Sequence, residues 1–324
     1  MNERGGGRRP PTDPADPRRW RHETARVNGV DLHYVTVAPD SEAVDHPTGA
    51  APLVVFLHGF PSFWYAWRNQ LDPLARAGYR VVAPDMRGYN RSSSPSGVDS
   101  YRPAELVADI RGLIEHRGAP VATVIGHDWG GLVAWETAIR EPDVVEQLAV
   151  LNAPHPAAYR RALARSPAQL LRSWYVFAVQ LPWLPEQLLD AGDYAVLERG
   201  MERSATPGAF TPADIERYRA AMERTNSLSE PLNYYRAMGR ETVEEGLRSL
   251  LPGETGPDRA VDAPALVLWG ERDPVLGTEL LGGLDEWVPE LRVRRLPGVG
   301  HWPHVEDPER VTDELLSVLG GEPS

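Results

Sequence analysis

The residues best suited to chemistry in this chain form one hexapeptide, Gly126-His127-Asp128-Trp129-Gly130-Gly131. It follows a β-rich apolar run at 121–125 and precedes a helical pattern over about 132–139. A sharp strand-to-helix turn tolerates little bulk two positions either side of its apex. Gly126 and Gly130 meet that demand around Asp128. This is the spacing of a nucleophile elbow, with Asp where Ser is more usual. The plainer alternative is a glycine-rich turn whose Asp caps the next helix. An apical Asp changes the reaction. Ser needs a base to remove its proton, whereas a carboxylate is already ionised at neutral pH. Carboxylate attack on an ester gives a labile anhydride. Attack on a saturated carbon bearing a leaving group gives an ordinary ester that water can cleave. The residue type therefore points to displacement at carbon, opening an epoxide or expelling a halide, and away from esterase chemistry.

Cleaving such an ester requires a base for water, an acid to orient that base, and donors for the oxyanion. His301 stands in Gly300-His301-Trp302-Pro303, after the last apolar run. Asp273 follows the run at 265–269 in Trp269-Gly270-Glu271-Arg272-Asp273, with Glu271 as the alternative acid. The order Asp128, Asp273, His301 is nucleophile, acid, base. Backbone N–H groups of Trp129 and of Phe60, in His58-Gly59-Phe60-Pro61, are the expected oxyanion donors, since Pro61 has none to give. His304 and Glu306 follow His301, but their spacing fits no usual ligand motif, so no metal is expected. His58 and His127 are read as shaping their loops. Asp85 and Arg87, in Pro84-Asp85-Met86-Arg87-Gly88-Tyr89, are expected to hold a loop by charge-assisted hydrogen bonds. His155, in Asn152-Ala153-Pro154-His155-Pro156, is counted with the pocket, although a structural role there is the simpler reading.

These residues need a frame. Alternating or apolar β-type runs occur at 32–37, 53–57, 80–83, 121–125, 147–151, 265–269 and 291–296, and the chemistry-bearing residues follow their ends. Helical periods lie between several of them: Leu106, Val107, Ile110, Leu113 and Ile114 share one face, as do Val311, Leu315, Leu316 and Leu319. Strand–helix alternation predicts an α/β fold, a mostly parallel sheet flanked by helices. The alternation lapses from about 156 to 257. Thr211-Pro212-Ala213-Asp214 there reads as a helix start. We read the stretch as a helical lid domain, or cap, inserted after a strand and placed over the ligand-binding edge of the sheet. The predicted organisation is a disordered leader at 1–22, a core domain formed by 23–155 and 258–324, and a helical cap at 156–257.

Composition removes other chemistries. The 324 residues include no Cys, which excludes thiolate nucleophiles, disulfides and Cys-ligated metals. All 34 basic residues are Arg, which excludes Schiff-base and phosphate-loop lysine chemistry. The net charge of −12 and the lack of basic blocks argue against nucleic acid. No apolar run approaches the length of a membrane span, and the Gly-, Pro- and Arg-rich start lacks a secretion signal. A cytoplasmic protein, monomeric or homodimeric, is expected.

Four motifs together resemble the soluble epoxide hydrolases of the α/β-hydrolase superfamily. They are His58-Gly59-Phe60-Pro61-Ser62-Phe63-Trp64-Tyr65-Ala66-Trp67-Arg68, Ala83-Pro84-Asp85-Met86-Arg87-Gly88-Tyr89, the elbow at 126–131, and Gly300-His301-Trp302. The resemblance runs from about Trp20 to the C-terminus. It implies the α/β-hydrolase fold, a small-molecule epoxide as substrate, no cofactor, and two lid tyrosines that hydrogen-bond to the epoxide oxygen. Trp174-Tyr175-Val176-Phe177 resembles the first lid motif and Pro231-Leu232-Asn233-Tyr234-Tyr235-Arg236 the second. Those roles thus fall on Tyr175 and Tyr235, with neighbouring Tyr234 as the alternative. Trp64, Trp129 and Phe177 are expected to line an apolar or aryl pocket. Haloalkane dehalogenases resemble the same elbow but usually carry Asn where Phe60 stands. Fluoroacetate dehalogenases usually carry Arg where Trp129 stands. Both departures, with the lid tyrosines, favour the epoxide. A dehalogenase using the same triad is the alternative, and a non-catalytic ligand-binding member of the superfamily a remoter one. The Arg-only, Ala- and Pro-rich composition suggests a bacterial source.

Overall fold

A computed structural model of the chain describes residues 17–39, 51–190, 194–225, 228–248 and 259–320. The apolar runs form one sheet of eight strands. These are β1 (Arg21–Val27), β2 (Val30–Val37), β3 (Leu53–Leu57), β4 (Arg80–Pro84), β5 (Ala122–His127), β6 (Val145–Leu151), β7 (Ala265–Gly270) and β8 (Leu291–Leu296). Their order is β1-β2-β4-β3-β5-β6-β7-β8. β1 and β2 pair antiparallel, as do β2 and β4, and the remaining pairs are parallel. Strands β3, β5 and β7 are buried along their whole length, because helices cover both faces of a parallel sheet.

The first strand is an addition to the sequence expectation. The unstructured leader expected over 1–22 lies outside the described residues for its first 16 positions. The remainder does not follow that expectation. Pro17–Arg19 is a 3₁₀ turn and β1 begins at Arg21. Trp20 is buried, donates from Nε1 to Asp72 at 2.8 Å and packs edge-on against Trp64. One buried indole with a satisfied N–H is enough to anchor such a start.

The helices of the core are α1 (Leu71–Arg76), α2 (Pro103–His116) and α3 (Trp129–Arg140). Leu106, Val107, Ile110, Leu113 and Ile114 of α2 are all buried, as their spacing requires. Between β6 and β7 the described residues form helices joined by loops, with no strand among them. It forms α4 (Pro156–Arg165), α5 (Pro167–Arg172), α6 (Trp174–Ala178), α7 (Leu184–Asp190), α8 (Ala195–Ser204), α9 (Pro212–Arg224) and α10 (Ser229–Arg248). The point of return to the core, expected near 258, lies outside the described residues. Helix α9 starts as its sequence indicates. Thr211 accepts from the Asp214 amide at 3.1 Å, and the Asp214 carboxylate accepts from the Thr211 amide at 3.0 Å, a reciprocal capping box. The chain ends on α11 (Pro303–Glu306) and α12 (Pro308–Leu319), whose Val311 and Leu315 face the core.

Candidate active site

Asp128 sits at the apex between β5 and α3 with φ +51° and ψ −121°. A non-glycine residue there is strained, and such strain persists only where surroundings enforce it. The enforcement is close packing. A Cβ on Gly126 would lie 2.3 Å from the Gly130 carbonyl oxygen, and one on Gly130 would lie 2.2 Å from that of Leu57. Only glycine lets the elbow fold back on itself and against β3.

The three sequence-predicted groups converge. His301 Nδ1 donates to Asp273 Oδ2 at 2.7 Å, and His301 Nε2 lies 3.7 Å from Asp128 Oδ1. The other Asp128 oxygen, Oδ2, accepts from the Phe60 amide at 2.9 Å, and the Trp129 amide also bonds to this carboxylate. The two nucleophile oxygens are therefore unlike each other. Oδ2 is held by the Phe60 amide, while Oδ1 faces the imidazole.

Electrostatics follow from burial and pairing. Burial raises the Asp128 carboxyl above its usual range, against the opposing pull of His301 and the two amides. For His301, burial alone would lower the imidazole. The Asp273 charge and hydrogen bond, then Asp128, outweigh it and push the ring up to about 9. Asp273 is nearly sealed from solvent, which would raise it, yet His301 and several hydrogen bonds hold it below its ordinary value. Its Oδ1 accepts from the amides of Val275 and Leu276 at 2.7 and 3.0 Å. Glu271 is exposed and pairs with Arg295 at 2.7 Å, away from His301.

Two supporting residues lacked a readable signal in the sequence. Asn152, at φ +39° just past β6, donates to Asp273 Oδ2 at 2.7 Å and accepts from the Gly270 amide at 2.8 Å. Glu306 accepts from the amides of Gly300 and Trp302, each at 2.8 Å, and of Thr206 at 2.9 Å. It shapes the loop that carries His301. Among the described residues no cluster of acidic and His side chains is arranged to hold a metal.

A cavity of about 580 Å³ opens from Asp128. Trp129, Leu132, Tyr159, Tyr175, Tyr235 and Met238 line its inner part, and Phe177 borders it as well. Tyr175 on α6 and Tyr235 on α10 meet edge-to-face, their centroids 5.9 Å apart, and Tyr235 packs on Trp129 at 4.7 Å. Burial holds both phenols far above the ordinary tyrosine range, so both keep their protons. Tyr234 points elsewhere. Its hydroxyl donates to the Arg87 carbonyl at 2.8 Å, and it is not among the lining residues.

Two expected pocket residues are corrected. Trp64 does not line the cavity. The 3₁₀ turn Trp64–Trp67 carries it away, where it packs among Trp20, His22, Phe63 and Tyr65. His155 is fully buried, with Nε2 donating to the Arg259 carbonyl at 3.0 Å and Nδ1 accepting from the Ala157 amide at 3.3 Å. It is stacked on Trp287, caps α4, and burial lowers it to about 4. Its work is structural. Arg87 forms the expected loop clamp, a bidentate pair with Asp109 at 2.5 and 2.6 Å.

The sheet order, the elbow after β5 and an acid and a base after later strands define a hydrolase of the α/β type. A family model described as the alpha/beta hydrolase fold matches residues 52–308. The AB hydrolase superfamily protein YfhM of Bacillus subtilis is 38% identical over 293 residues, covering 90% of this chain and 96% of that one. Epoxide hydrolase 4 of Homo sapiens is 33% identical, covering 96% of this chain and 82% of the human protein. The structure of Bacillus megaterium epoxide hydrolase in complex with an inhibitor superposes with a TM-score of 0.79 at 32% identity. It covers 92% of this chain and all of that one. The chain belongs to the epoxide hydrolase family of the α/β-hydrolase superfamily.

Proposed function

We propose that the protein converts an epoxide and water into a vicinal diol through a covalent ester on Asp128. Asp128 Oδ1 attacks an epoxide carbon and the carbon–oxygen bond breaks. Tyr175 and Tyr235 donate hydrogen bonds to the departing oxygen, and one of the two phenols gives it a proton to make a hydroxyl and is itself reprotonated from solvent. His301, oriented by Asp273, then removes a proton from water, and the resulting hydroxide attacks the Asp128 carbonyl carbon. The oxyanion forms on Oδ2, to which the Phe60 amide already donates, with the Trp129 amide, bonded to the same carboxylate, as the second donor. Collapse breaks the bond from the carbonyl carbon to Oδ1, which leaves in the diol with the proton held by His301, and the acid proton remaining on Asp128 passes to solvent to restore the carboxylate. Residues 156–257 act as the cap that brings both tyrosines over the nucleophile.

The observation that carries this reading is the shared cavity, lined by a largely buried carboxylate and two protonated phenols. A carboxylate can open a strained ring there without leaving a naked alkoxide in a dry site, which would be costly. A halide leaving group needs no proton. Supplying an aryl epoxide and the matching haloalkane side by side tests the choice: diol should form, and halide release without diol formation would overturn the reading.

The raised His301 pKa has a kinetic consequence. With Asp128 ionised, the imidazole is largely protonated at neutral pH, a poor base but a good partner for the nucleophile. Forming the ester removes the Asp128 charge, one of the influences raising His301, so the ring loses its proton more readily once it must act as base. Rapid-quench measurements should give an ester-hydrolysis rate that rises with pH, with a midpoint below about 9. The alkylation rate should fall in acid with a midpoint above the ordinary carboxyl value of 3.8. A pH-independent hydrolysis step would contradict the assignment of His301 as base.

A further inference from the structure

Gln169 on α5 takes no part in the chemistry above, yet it is fully buried and its side-chain amide is paired on every side. Nε2 donates to the Val275 carbonyl at 3.1 Å and to Ser173 Oγ at 3.0 Å, and Oε1 accepts from the Gly277 amide at 2.9 Å. Burying an amide is costly unless its hydrogen bonds are made, and here they are. The partners also fix which way it points. The carbonyl of 275 demands a donor and the N–H of 277 demands an acceptor, so the site calls for an amide.

The two ends of this bonding reach two parts of the site. One is the loop after β7. There the Val275 and Leu276 amides hold Asp273 Oδ1, while Oδ2 of the same carboxylate holds His301. Gln169 grips that loop on either side of Leu276, a residue of the cavity wall. The other is Ser173, which closes α5 and opens α6, the short helix whose second residue is Tyr175. The Tyr159 hydroxyl, from α4, bonds the same Ser173 oxygen at 2.9 Å, so the junction is held from two directions. An ion pair between Arg172 and Glu279 at 2.8 Å also joins α5 to the segment after β7, but it is partly exposed and contributes little.

We propose that Gln169 is a positioning residue that holds the phenol of Tyr175 and the carboxylate of Asp273 in register, so that both half-reactions depend on a side chain outside the cavity wall. The inference rests on the roles proposed above for Tyr175 and Asp273.

Gln169→Leu keeps most of the volume and removes all three bonds. In single-turnover measurements both alkylation and ester hydrolysis should slow by about 10-fold or more, with substrate Kd unchanged, because slight misplacement of reacting groups is costly. A double-mutant cycle separates positioning from lost stability. In the Tyr175→Phe background, Gln169→Leu should change alkylation by less than about twofold and still slow hydrolysis. Gln169→Glu adds a pH signature. An ionised carboxylate cannot donate to the Val275 carbonyl, whereas a protonated one can, and burial favours the protonated form. Its rates relative to wild type should therefore recover as pH falls, while those of Gln169→Leu stay in constant ratio; the Glu variant also serves if the Leu variant does not fold. Hydrogen exchange reads the clamp without turnover. Residues 173–178 and 275–277 should exchange faster together in either variant at neutral pH, with β5 still protected. A wild-type protein that forms no diol defeats the functional reading, and the exchange measurement still decides the clamp. Rates within about twofold of wild type in a folded variant overturn the proposal, as do additive effects on alkylation, a pH-independent Glu-to-wild-type ratio, or unchanged exchange.

Discussion

Treating the His301→Gln variant with excess epoxide should add the mass of one substrate to the protein, on the peptide containing Asp128. Turnover should fall by about 10³-fold or more, within the range a general base contributes. The reason is that the two half-reactions of the proposed mechanism use different groups. Alkylation needs the carboxylate and the phenols, none of which the substitution removes, and the Gln amide N–H can still donate to Asp273. Hydrolysis needs the imidazole to take a proton from water, and Gln cannot. The ester is therefore made and then stranded. Asp128→Ala is the paired control and should show no mass increase. A His301→Gln protein that turns over without accumulating adduct would remove the covalent mechanism.

Replacing either lid tyrosine with Phe should lower the alkylation rate by about 10²-fold, and replacing both should lower it by about 10³-fold or more. Phe keeps the edge-to-face packing of residue 235 on Trp129, so the cavity wall survives and only the donor is lost. One remaining phenol still solvates the opening oxygen. With none, an alkoxide develops in a water-poor site. Single-turnover kinetics report the effect directly, because ester hydrolysis does not involve these hydroxyls and should stay near the wild-type rate. Equal slowing of both steps would show that the tyrosines only pack.

The order of elements was legible because fully buried parallel strands leave apolar runs, and several of those runs led into residues with chemistry to offer. β1 was not legible, since only Ala25 and Val27 of its seven residues are buried and the rest read as polar surface. The elbow was legible from two glycines that tolerate no Cβ. Asn152 was not, because its meaning lies in a hydrogen bond to a residue 121 positions away. Glu306 stood out in the sequence only beside His304, as a possible metal ligand, whereas it grips three backbone amides around His301. Adjacent tyrosines on one helix differ by about 100° in direction. The sequence alone could not say which of 234 and 235 faces inward; Tyr235 lines the cavity, while Tyr234 bonds the Arg87 carbonyl. Trp64 shows the opposite error, an aromatic side chain near the right loop that turns into the core.

The Phe60 amide bond to Oδ2 makes the nucleophile's oxygens distinguishable across a catalytic cycle. In the proposed mechanism the atom that bonds to substrate leaves inside the product, and a solvent oxygen takes its place on residue 128. Run in ¹⁸O-water, the protein should release a first diol bearing an unlabelled new hydroxyl, then labelled ones. Each product thus carries an atom captured one round earlier, and mass spectrometry of a single-turnover sample would read that delay.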